Sequence, residues 1–163
     1  MIQWKERPVE VANLLNPAFC ALLLRQAALG YQKQIEQGID LPLLFLVLPL
    51  VLHKTTRESL PKTSVTRLHV WVQQHQEVRV GLTQRTNALQ PYTRESIIYA
   101  MQRNALSITT EGGIIAPKMK KSNVDSLVDT EASQCLDKAL FLGRWFASAG
   151  STVSVMSMFG LRI

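Results

Sequence analysis

Apolar positions recur at helical spacing along most of this chain, and the pattern breaks at Pro, Gly and Asn. Arg7 to Leu15 reads as a short helix opened by Pro8 and closed near Asn16. Asn16-Pro17 then restarts a helix, because Asn offers an N-cap acceptor and Pro suits the first helical position. From Pro17 to about Gln37, Phe19, Leu22, Leu23, Ala27 and Tyr31 keep to one side, and Gly38 is a stop signal. The twelve residues Leu41 to Leu52 are apolar at every position except Pro42 and Pro49. A bilayer needs about 20 such residues. The run therefore predicts a buried helix kinked at Pro49, or a surface that a partner covers.

From His53 to Lys62 the chain turns polar and basic, which marks a junction. Three closely spaced helices are predicted next: Ser64 to His75, with Val65, Leu68, Trp71 and Val72 inward; about Glu77 to Gln90, ended by Pro91; and Thr93 to about Asn104, with Thr93 as N-cap and Glu95 in the first turn. Ala105 to Thr110 alternates with period two, Glu111-Gly112-Gly113 turns, and Ile114 to Pro117 returns as a hairpin. Three short helices and a hairpin predict a winged-helix module. Lys118 to Lys121 forms a basic flank and Ser122 to Asp129 a polar linker. A second apolar helix is expected from about Thr130 to Ala149, followed by a short helix before the end. The fold expected is mostly α with a small β-hairpin: an N-terminal helical layer (1–60), a central winged-helix module (61–121) and a C-terminal apolar helical region (122–163), packed as one unit.

Charge sharpens this division. The net +6 arises almost entirely between residues 53 and 121, which hold eleven basic and four acidic side chains; residues 1–52 sum to zero and 122–163 to −1. An excess confined in this way suits a polyanion or an acidic protein face, or is simply a solvated surface. On the third predicted helix, Ile97, Ile98 and Met101 would face the core, leaving Arg94, Tyr99, Gln102 and Arg103 exposed. With Lys118, Lys120 and Lys121 beside the wing, they form a surface for DNA or protein. Leu44, Leu48 and Leu52 on the apolar run, and Phe141 and Trp145 on the late helix, are the partner-interface candidates, although Trp145 and Phe146 also read as packing.

The chain offers little convergent chemistry. His69 and His75 are six positions apart on one helix, off the spacing of a helical zinc pair, and His53 stands alone. Ser59-Leu60-Pro61-Lys62 matches a Ser-x-x-Lys pattern, but Pro61 breaks the helix that would join the two side chains. No glycine-rich phosphate loop occurs. Cys20 and Cys135 sit in apolar helical contexts without a CxxC spacing and read as buried thiols of a reducing compartment. Arg57 and Arg144, charges within apolar stretches, are expected more as structural ion-pair partners than as interface residues. Neither catalytic residues, a metal nor a cofactor is expected, and the N-terminus has no signal-peptide pattern, so the expected location is cytoplasmic.

Taken together, several passages resemble the middle component of bacterial three-component ABC systems, related to Lamassu-type defence against phage and plasmids. They are Arg7-Pro8-Val9-Glu10-Val11-Ala12-Asn13-Leu14-Leu15-Asn16-Pro17-Ala18-Phe19, Phe45 to Lys54, Thr56 to Pro61, Leu142-Gly143-Arg144-Trp145-Phe146 and Phe159-Gly160-Leu161-Arg162. The closing Leu161-Arg162-Ile163 departs from a Val-Arg-Pro-like end. The resemblance implies a non-enzymatic accessory subunit encoded between an SMC-like ABC ATPase and an effector, often a nuclease. DNA would be met directly or through the complex, with no membrane involved. The alternative is a free-standing winged-helix transcription regulator, which would need a dimer to read two half-sites.

Overall fold

The computed structural model describes residues 6–118 and 130–161. Eight α-helices are described: α1 (Val9–Leu14), α2 (Pro17–Ile35), α3 (Leu41–Val51), α4 (Lys54–Ser59), α5 (Leu68–Gln74), α6 (Leu82–Gln102), α7 (Glu131–Ala147) and α8 (Thr152–Met158). A 3-10 turn at Gln76–Arg79 precedes α6, and an antiparallel hairpin of β1 (Ser107–Ile108) and β2 (Ile114–Ile115) follows it. No described helix is long and apolar enough to cross a membrane.

The start of α2 acts as read. Asn16 accepts from the Ala18 N–H and Pro17 begins α2. Thr130 accepts from the Ser133 N–H to start α7, and Ser151 from Ser154 to start α8. Gly38, expected as the stop of α2, has another task. Glu36 takes the left-handed conformation that ends the helix (φ 55°), while Gly38 lies against Gly113 so closely that a Cβ would stand 2.9 Å from the Gly113 Cα. That approach lets Ile39 pair with Ile114 in a β-bridge, which joins the hairpin to the end of α2. Gln32 and Arg25 of α2 complete the attachment: the Ala116 N–H donates to Gln32 Oε1 (2.7 Å), and Arg25 donates to the Pro117 carbonyl (2.8 Å).

The centre of the protein is the packing of α2 along α7, with α6 and α3 against the same helix. The two helices meet at glycines. A Cβ on Gly143 would stand 2.8 Å from the Ala27 carbonyl carbon and closer still to its oxygen, and one on Gly30 would meet the Leu140 carbonyl. Removing two side chains there allows backbone-to-backbone contact, and the Leu, Phe and Trp side chains around it close the core. α3 is buried along most of its length, so the apolar run is a core helix that continues through Pro49.

The region 61–121 departs from the sequence reading. Pro91 does not separate two helices: α6 runs unbroken from Leu82 to Gln102. Proline removes only the bond to the Asn87 carbonyl, and burial of Leu82 on one side of it and Thr93, Ser96, Ile97 and Ala100 on the other holds both halves on a common axis. Thr93, expected to cap a new helix, instead donates its hydroxyl back to the Leu89 carbonyl (3.0 Å) across the proline. The winged-helix reading thus loses its separate second and third helices: the segment contains one short helix, a 3-10 turn, one long helix and the hairpin. The basic junction also holds a helix, α4, whose first turn is capped by the His53 ring.

Candidate interaction surfaces

Along α6, Arg94, Ile98 and Gln102 follow at i, i+4 and i+8, so one exposed stripe carries all three. Ile98, expected in the core, is on this stripe and exposed. The adjoining stripe pairs Tyr99 with Arg103, whose guanidinium lies 3.7 Å from the ring centroid. Tyr99 is half-buried, and Arg103 is engaged by its own neighbour as well as facing outward. Lys118 is exposed one position past Pro117, while Lys120 and Lys121 lie outside the described residues, as does the linker 122–129.

The apolar interface candidates are largely core. Leu44 and Leu48 are fully buried under α2 and α6, and Trp145 is buried with its indole N–H donating to the Thr66 carbonyl (2.8 Å). A helix as apolar as α3 satisfies itself inside this fold, which removes these three from any docking surface. Phe141 is half-buried against Trp145, their ring centroids 5.1 Å apart. Leu52 is the exception on α3's end: with the exposed Leu14 it lines two shallow hollows of about 170 and 190 Å³ on either side of the α1–α2 corner.

A larger groove of about 530 Å³ was not foreseen. Leu41, Pro42 and Phe45 form one wall, Thr86, Asn87 and Gln90 of α6 face them, and Met156 and Leu161 close the end. Among the described residues no charged side chain lines it. The two missing N–H groups of Pro49 and Pro91 belong to the Phe45 and Asn87 carbonyls, and both of those residues line the groove. Every position of the apolar run looks alike in sequence, so nothing there could tell its open end from its buried middle.

The two arginines flagged within apolar stretches divide. Arg57 is buried, donates to the Val51 carbonyl (2.8 Å) and pairs with Glu131, which ties the end of α3 to the start of α7. Arg144 is exposed. A second pair, Arg7 with Glu95 (2.9 Å), with Arg7 also 5.3 Å from the Tyr92 ring centroid, ties the segment before α1 to α6.

Chemistry is sparse among the described residues. No group of three or more His, Cys, Asp or Glu side chains there could hold a metal ion. Both cysteines are buried free thiols. Burial pushes Cys20 up to about 11, against a hydrogen bond from Ser96, and raises Cys135 as well. His53 is held low by burial and by the positive charge of Arg85. His75 bonds Glu77 (2.9 Å) and its carboxylate is correspondingly held below the usual range.

Residues 4–163 match the family described as ABC-three component (ABC-3C) system Middle Component 3. Neither a curated protein nor a solved structure matches the chain.

Proposed function

The chain belongs to the Middle Component 3 family of ABC-three component systems, and from that premise we propose that it bridges an SMC-like ABC ATPase and an effector, a nuclease by preference. In this reading it restrains the effector until the ATPase engages foreign DNA, in a cytoplasmic defence system related to the Lamassu type. Membership across nearly the whole chain is the observation that carries the proposal. A middle component belongs to a system with an ABC ATPase and a further component, so protein contact is its working state.

Two further observations support a role without catalysis of its own. The thiols are buried and held protonated, which disarms them as nucleophiles. The surface also carries apolar places of the kind that protein contacts cover, at Leu14 with Leu52 and at Leu41 with Pro42 and Phe45. Two-sided bridging needs two such places, and these lie at different ends of α3.

The test is co-expression with the two neighbouring gene products, followed by affinity purification and native mass. A stable assembly containing the ATPase and the effector is expected, and Leu14→Lys and Leu41→Lys should each weaken one contact while leaving the isolated chain folded. Recovery of the chain alone as a dimer that protects two-fold-symmetric DNA would replace this reading with that of a transcription regulator.

A further inference from the structure

The loop between α4 and α5 presents cations and hydroxyls to solvent. Its sequence, Pro61-Lys62-Thr63-Ser64-Val65-Thr66-Arg67, contains three hydroxyls and two cations, and no carboxylate occurs anywhere from residue 59 to 76. Lys62, Thr63, Ser64 and Arg67 are exposed. Carbonyls at the end of α4 and at the two ends of the loop are bonded inward. Trp71 Nε1 donates to the Ser59 carbonyl (3.1 Å), Lys138 Nζ to those of Leu60 (2.9 Å) and Pro61 (3.2 Å), and Trp145 Nε1 to that of Thr66 (2.8 Å). Four backbone carbonyls, those of Ser59 and Leu60 at the end of α4 and of Pro61 and Thr66 in the loop, are therefore bonded by side chains of α5 and α7.

Lys138 adds a third positive charge beneath the loop, near enough to Lys62 for the two to repel. The acidic neighbours are few. Glu58 lies before the loop and pairs with Lys54, and Asp137 is exposed beside Lys138 on α7. Glu131 of α7 is engaged by Arg57, so among the described residues the cations of the loop keep no acidic partner of their own.

We propose that this loop, through Lys62, Thr63, Ser64 and Arg67, binds the phosphodiester backbone of nucleic acid. Cations and hydroxyls are the side chains that commonly contact phosphate oxygens. An acidic protein segment is the less fitting occupant, because protein contacts centre on exposed aromatic or other large anchors. The two tryptophans here are buried, 2% and 1% exposed, and their N–H groups are already bonded inward. Only Val65 is left as an apolar contact. With no helix or strand of the loop to enter a groove, binding is independent of base sequence and depends on salt. The surface is distinct from the α6 stripe of Arg94 and Arg103, and it does not depend on the bridging role.

Fluorescence anisotropy of a labelled 20-base-pair duplex, titrated with the full chain between 50 and 200 mM salt, tests it. Each phosphate-contacting cation adds about 0.9 to the steepness of log affinity against log salt. The expected result is similar affinity for unrelated sequences, with a slope in the double variant Lys62→Gln/Arg67→Gln shallower by about 2 and binding at low salt at least tenfold weaker. Arg94→Gln/Arg103→Gln should leave both unchanged. Absence of salt-dependent binding by the wild type, an unchanged slope in the loop variant, or a loss confined to the α6 variant would each overturn the proposal. Co-purification with the ATPase separates the two readings: the loop variant should still assemble, and if it binds DNA normally but fails to assemble, the loop is a protein contact and the proposal is wrong.

Discussion

Replacing Gly143 with alanine should destabilise this protein although helix propensity alone says the reverse. Alanine in a helix interior is favoured over glycine by about 1 kcal/mol. At this position, however, the new Cβ would stand 2.8 Å from the Ala27 carbonyl carbon, 2.9 Å from the Tyr31 nitrogen and closer still to the Ala27 oxygen. These are backbone atoms of α2, and no rotamer change can move them. Ordinary contact begins near 3.4 Å and the Ala27 oxygen would lie far inside it, so α2 and α7 must separate by well over 1 Å or shift along each other. A gap of even about 1 Å forfeits up to half of each affected dispersion contact along the most extensive helix pair of the core. Overpacking of this kind costs about 1–3 kcal/mol and occasionally more. With backbone atoms this close the cost lies at the upper end of that range, and after the propensity gain of about 1 kcal/mol the net expectation is a loss of about 2 kcal/mol, or a Tm lower by roughly 4–8 °C for a chain of this length. Urea unfolding followed by far-UV circular dichroism would measure it, with exposed Gln134→Ala on the same helix as a control expected within about 0.5 kcal/mol of wild type. Gly30→Ala should behave alike, and because one helix shift accommodates both methyl groups, the double variant should cost less than the sum. A Gly143→Ala protein as stable as wild type, or more so, would refute close backbone packing as the reason for glycine here.

Pro91→Ala should stabilise by about 1–2 kcal/mol, since it returns an N–H to the Asn87 carbonyl within one continuous helix and loses only the smaller unfolded-state benefit of proline; a clear loss of stability by denaturant unfolding would favour a helix start at Pro91. Arg57→Ala should cost about 2–4 kcal/mol, because it strips the Val51 carbonyl and Glu131 at the start of α7 of a buried partner. Glu131→Gln, at a side chain 69% exposed, should cost under about 1 kcal/mol, and equal costs in the two variants would contradict this. Cys20 ionises near 9.0 when unfolded and near 11 when folded. The stability it contributes is complete below pH 9 and is lost as pH rises toward 11, by about 1.4 kcal/mol per pH unit. Cys20→Ala should flatten that part of the stability–pH curve. Neither thiol should react with an aromatic disulfide reagent at pH 8 until denaturant is added.

Element positions were legible where a local signal acts alone. Asn16-Pro17 at the head of α2 and the Gly-Gly turn of the hairpin depend on atoms within three or four residues, so their boundaries follow from the residues themselves. Pro91 misled because its penalty, one missing hydrogen bond and crowding of the Asn87 carbonyl, is local, whereas the burial of Leu82, Ile97 and Ala100 is spread along both halves of α6. The loop at residues 61–67 was visible as polar and basic, but the inward donors that turn its carbonyls away come from Trp71, Lys138 and Trp145, up to 79 positions distant.

By itself, then, the sequence determined the helical content, the start of α2 at Asn16-Pro17, the hairpin, the burial of both thiols and the placing of positive charge in the middle of the chain, because these depend on periodicity, turn chemistry and composition. Tertiary structure alone decided that two predicted helices are one, that Leu44, Leu48 and Trp145 are core while Leu14 and Leu41 face outward, that Arg57 is paired inside, and that Gly30 and Gly143 meet. Those outcomes depend on which faces of distant segments cover one another, and a run that is apolar on every side carries no mark of the face that will be left open.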